Sequence, residues 1–99
     1  VQFDEPVYGI RALARTLETY RNRYSGDTVR EIIDRWAPAS ENNTRAYINA
    51  VADSMGVGPD EEFPATEANT LALVKAIIRH ENGRQPYSDD LILQGIRLA

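Results

Sequence analysis

Apolar residues recur along this chain at three- and four-residue spacing, in five stretches divided by breaker residues. Ile10, Leu13, Ala14, Leu17 and Tyr20 form the first stripe and predict a helix from about Pro6 to Tyr24. Asp4 is placed to cap it, Glu5 and Pro6 suit a first turn, and Ser25-Gly26-Asp27 ends it. Gly9 weakens the start of that helix by up to ~1 kcal/mol relative to Ala, which points to a close approach there. The second helix opens on a capping box, Thr28 with Glu31, and carries Val29, Ile32, Ile33 and Trp36 on one face. Pro38 stops it, because the residue before a proline is pushed out of the helical region.

A third helix is expected from Asn43 or Thr44 to a left-handed cap at Gly56, with Tyr47, Ile48, Val51 and Met55 on one side. The only long connection runs from Val57 to Ala65; its Gly, Pro and acidic content, with the run Asp60-Glu61-Glu62, reads as a solvated surface loop. That run lacks the spaced oxygen ligands and turn glycine of a calcium loop. Thr66 caps a fourth helix from about Glu67 to Asn82, whose inner face is Leu71, Leu73, Val74, Ile77 and Ile78 and whose end is Gly83. Ser88 caps the last, with Leu91, Ile92, Ile96 and Leu98. Nothing reads convincingly as a sheet. The expected fold is all-α, a compact bundle of about five short helices in a single domain covering 1–99.

The totals narrow the chemistry. The absence of cysteine excludes disulfides, thiolate metal sites and a Cys nucleophile. Fifteen acidic residues against 11 basic ones give a net charge of −4, which opposes non-specific binding to nucleic acid. No apolar run approaches the ~18–20 residues of a membrane span, and no signal-peptide pattern is visible. The chain opens on Val1-Gln2-Phe3 rather than Met, so it reads as the C-terminal part of a longer protein.

Two places carry candidate chemistry. The first is the stretch from Arg35 to Tyr47, where the only Trp, Trp36, precedes Glu41, Asn42, Asn43 and Thr44. An aromatic plate beside amides and hydroxyls suits a sugar or a polar peptide. Trp36 is equally placed to be core, and Asn43 or Thr44 to cap a helix; a single cap leaves the other polar residues unexplained. The second is the end of the fourth helix, from Ile77 to Ser88. Partial burial of Glu81 there would raise its pKa and let it donate a proton to a leaving oxygen, as glycan cleavage requires. The plain alternative is a solvated helix-end residue. His80 is the sole histidine, a poor metal site without a second ligand; it suits the helix C-terminus or packing against Tyr87. The tyrosines Tyr20, Tyr24, Tyr47 and Tyr87 are able to stack on sugar rings or to sit half-buried with wet hydroxyls. No metal and no cofactor is expected.

Three pieces, Phe3 to Ala12, Arg35-Trp36-Ala37-Pro38 into Glu41-Asn42-Asn43-Thr44, and Ala76 to Gly83, together resemble a phage and prophage family described as virion structural proteins. Members of that family carry an upstream segment rich in Asn, Pro and Gly, which this chain does not have. The segment Ala76 to Gly83 is also similar to the glutamate-ending helix of lytic transglycosylases of the lysozyme superfamily, with Asn82 where those enzymes have Ser. Ile10 to Asp27 looks like a later helix of the same enzymes, so the order is reversed, and their Tyr-Asn-Ala-Gly segment is missing. These resemblances imply a lysozyme-like architecture and a virion-associated domain acting on or binding peptidoglycan during entry. Glu81 would be the catalytic acid, and Trp36, Glu41, Asn42, Asn43, Tyr47, His80 and Tyr87 would hold the glycan. The implied partners are cell-wall glycan or other virion proteins. The implied location is the virion and, on delivery, the bacterial envelope or periplasm. The alternative they leave is a non-catalytic structural or docking module of the virion.

Overall fold

A computed structural model of the chain describes residues 5–24, 26–37 and 41–99, with the side chains of Glu41 and Asn42 outside that description. Five helices follow one another: α1 (Pro6–Tyr24), α2 (Val29–Trp36), α3 (Glu41–Met55), α4 (Glu67–Asn82) and α5 (Asp89–Leu98). No strand occurs among the described residues, so the fold is all-α. Among the described residues no helix is long and apolar enough to cross a membrane.

The helix starts follow their capping residues. Thr66 Oγ1 accepts from the Asn69 amide at 3.1 Å and Ser88 Oγ from the Leu91 amide at 3.1 Å. At α2, Thr28 Oγ1 accepts from the Glu31 amide at 3.2 Å and donates to Glu31 Oε1 at 3.0 Å, so the Glu side chain meets the cap's hydroxyl. Gly56 (φ 72°) and Gly83 (φ 78°) close α3 and α4 in the left-handed region. The third helix starts earlier than its caps suggested. Asn43 and Thr44 lie inside its first turn, and the Thr44 hydroxyl reaches back to donate to Ala37 O at 2.7 Å. Its side chain therefore serves the end of α2 instead of an amide of α3. The expected cap Asp4 lies outside the described residues.

α1 packs on α5, α3 on α4, and α2 on α3, with α4 also against α5. Their inner faces join in one core around Ile10, Ile32, Ile33, Val51, Ile77, Ile78 and Ile92, all essentially inaccessible to water. Burying each such side chain contributes about 1.5–3 kcal/mol. The α1–α5 seam depends on Gly95: a Cβ there would fall 2.5 Å from Ile10 Cγ2. Leu98, read with the apolar residues of α5, is 51% exposed; it is the last residue of the helix, and Arg11 of α1 donates to its carbonyl at 3.0 Å.

The long connection is more than a solvated loop. Phe63 is buried in the core, its amide donates to Asp27 O at 3.1 Å, and Arg21 donates to its carbonyl at 2.7 Å while lying 4.5 Å over its ring. Asp60 pairs with Arg30 at 2.6 Å, and Glu61 accepts from the Gly58 amide at 3.0 Å. The acidic run is exposed, but two of its three members anchor the loop.

Candidate functional site

α3 and α4 run side by side so that the first turns of α3 meet the last turn of α4. Trp36, the last residue of α2, is brought to the same place because the turn into α3 is short and tied by Thr44. Three side chains widely separated in sequence meet there. Trp36 Nε1 donates to Tyr47 Oη at 3.1 Å and lies 3.3 Å from Glu81 Oε1, while Tyr47 Oη donates to Glu81 Oε1 at 3.1 Å. The His80 ring stacks on Tyr47 with centroids 3.9 Å apart and an interplanar angle of 27°. Its stacking partner is thus Tyr47, which the apolar face of α3 holds nearly two turns inside the helix.

The environments within the cluster differ. Tyr47 is 5% exposed, Trp36 is half-buried, and His80 and Glu81 are exposed. Burial and, secondarily, the nearby Glu81 charge push the Tyr47 hydroxyl well above its ordinary pKa. It therefore remains a neutral donor, with its proton directed at the carboxylate. Two donors converging on one carboxylate oxygen, from α2 and α3, fix the rotamer of Glu81 at the exposed end of α4. Such an arrangement presents a positioned carboxylate beside an indole edge and a stacked aromatic pair.

The other residues expected at the site are distributed around it. Asn43 is exposed and lies four residues before Tyr47, so the two share a face of α3. Glu41 and Asn42 have side chains outside the described residues. Tyr87 is half-buried against the core, and its amide donates to Gln85 Oε1 at 2.6 Å. Thr44, whose clamp on Ala37 sets the elbow, carries a positioning role that the capping reading missed; a Thr shortly after a helix-stopping Pro is the signal that points to it. Among the described residues no group of three or more His, Asp or Glu side chains converges on a metal position. Two hollows open elsewhere. One of about 340 Å³ is lined by Leu17, Arg21, Phe63, Leu73 and Ile96, and another of about 210 Å³ by Ser54, Ala72, Lys75, Ala76 and Arg79.

No family model matches the chain. It is 42% identical over 94 residues to Protein P5 of Pseudoalteromonas phage PM2. That stretch covers 95% of the chain but 58% of the relative, so the chain spans a little over half of that protein's length. An identity of this size, with alignment running through α1 to α5, makes the chain a homologue of a phage protein.

Proposed function

We propose that the chain is a virion-associated domain of a phage protein that engages the glycan of bacterial peptidoglycan, with Glu81 as the proton donor to the glycosidic oxygen. The observation that carries this reading is the convergence of Trp36 and Tyr47 on Glu81 Oε1 at an exposed helix end. The half-buried Trp36 indole offers aromatic surface to a sugar face, and the two donors on Oε1 fix the orientation of Glu81 so that its other oxygen, Oε2, is the one to carry the proton. A transglycosylase-type reaction uses one such acid and no metal. The similarity of Ala76 to Gly83 to the glutamate helix of lytic transglycosylases supports the same role, and the phage homologue supports a virion setting.

Purified peptidoglycan incubated with the protein, followed by muropeptide separation, tests it. Release that disappears in Glu81→Gln while pelleting with the sacculus persists is the expected outcome; unchanged release in that variant overturns the catalytic role. A second reading, a docking module for another virion protein, draws on the same hydrogen bonds. They tie the ends of α2 and α4 to the middle of α3, which is a structural service in its own right. Absence of both release and sacculus binding in the unmodified protein favours that module.

A further inference from the structure

The hollow of about 210 Å³ along the α3–α4 seam is lined by Ser54 from α3 and by Ala72, Lys75, Ala76 and Arg79 from α4. Its two cations differ. The Lys75 ammonium is held by Asp89 at 2.9 Å. Arg79 has no hydrogen-bond or ion-pair partner among the described residues, although the chain has an excess of acids. Lys75 and Arg79 are four residues apart and so stand on one face of α4, and the alanines at 72 and 76 leave that face open. A guanidinium at the rim of a small concavity, opposite a hydroxyl, matches the planar, two-oxygen geometry of a carboxylate.

Position supplies the remaining argument. Ser54 is seven residues beyond Tyr47 on α3, which places the hollow about 10 Å along the seam from the aromatic cluster. A branched polymer whose sugar lies on the Trp36 edge and the exposed His80 ring of that cluster brings a side branch over this hollow. We infer that the Arg79 hollow is a subsite for the carboxylate of an acidic peptide, the stem branching from a peptidoglycan strand. This rests on the glycan reading of the Trp36–Tyr47–Glu81 surface. Arg79 holds the carboxylate through its two terminal nitrogens, and the Ser54 hydroxyl donates to it from the facing helix.

Calorimetric titration of the whole chain with three probes tests the inference: a disaccharide–tetrapeptide muropeptide, the same disaccharide stripped of its peptide, and inorganic phosphate. Arg79→Ala is expected to weaken the peptide-bearing ligand by about tenfold, the cost of one charge-assisted contact. The stripped disaccharide should bind that variant as it binds the unmodified chain. Arg79→Lys should recover part of the loss, and converting the peptide carboxylates to amides should reproduce the Arg79→Ala effect on the unmodified chain. Equal weakening of both saccharides, no weakening of either, or phosphate binding as tight as the muropeptide each overturns the subsite. Circular dichroism of the variants excludes misfolding as the cause of any loss. Failure of the stripped disaccharide to bind, with an Arg79-dependent peptide ligand still bound, removes the glycan reading and leaves the carboxylate subsite standing. No binding of any probe removes both.

Discussion

Two polar–aromatic clusters hold distant parts of this chain together, and they do so with different atoms. At one, Arg21 from α1 lies over the Phe63 ring, donates to the Phe63 carbonyl at 2.7 Å and stands 3.6 Å from Asp27. At the other, Trp36, Tyr47 and Glu81 join the end of α2, the middle of α3 and the end of α4 through side-chain atoms alone. The first answers a backbone need: a loop that buries Phe63 brings in a carbonyl, and that carbonyl requires a donor. Arg21 supplies it even though burial lowers the guanidinium's pKa against the opposing pull of Asp27. The second cluster serves no backbone group. Its hydrogen bonds end on a carboxylate at the surface, which is what separates a candidate site from a clamp.

Substitutions separate the two roles. Phe63→Ala should have the largest effect on stability, about 3–5 kcal/mol in urea unfolding, because it removes a buried ring and leaves a cavity beneath the loop. Arg21→Met keeps the stem and removes the donor. The orphaned Phe63 carbonyl then costs about 1–3 kcal/mol, and sacculus binding by the folded protein should be unchanged. Tyr47→Phe keeps the ring under His80 but removes the hydroxyl from Trp36 and Glu81, so about 0.5–1.5 kcal/mol is lost. Here sacculus binding should fall as well. A clamp-only role for the second cluster would leave binding unaffected in both variants. The same variant carries a pH signature. Because the folded pKa of Tyr47 is raised, the unfolded hydroxyl ionises first, and stability drops as pH rises above about 10. Thermal melts between neutral and alkaline pH should show that drop blunted in Tyr47→Phe.

The helices were readable because each carries both a stripe and a punctuation mark. Thr28, Thr66 and Ser88 cap the helices their positions announce, and Gly56 and Gly83 stop theirs with positive φ. α3 starts two or three residues before the cap that Asn43 or Thr44 suggests, because Thr44 looks like a cap in sequence and only the nearby Ala37 carbonyl reveals its other use. Phe63 is not legible as core in sequence, because a lone aromatic between acids and a proline has no periodic neighbours to mark it. Gly95 escaped for a related reason: one glycine in a helix does not say which partner, here Ile10, comes close. Of the candidate site, Trp36, Tyr47, His80 and Glu81 were legible by residue type, and their meeting was not. It follows from how α3 packs against α4, a long-range relation that local spacing does not encode.

The smallest expected effect lies in the ion pairs that support the loop and the start of α4. Hydrogen bonding to Arg30 lowers the Asp60 pKa, and hydrogen bonding to Arg97 lowers that of Glu67. Depressed carboxylates of this kind contribute stability in full above their unfolded values near about 4, and the contribution is lost as pH falls through the lower folded values. Both pairs face solvent, with the Arg30–Asp60 side chains 46% and 72% exposed, so screening keeps the effect slight. A melting series from neutral to acidic pH at low salt should show a shallow decline that Asp60→Asn lessens and molar salt flattens. The loop would then weaken in acid and the aromatic cluster in alkali. An acid loss as steep in high salt as in low would mean that charge pairing is not what holds the Asp60 end of the loop. The backbone bond from Arg30 to the Pro59 carbonyl, at 3.0 Å, would then be its main anchor.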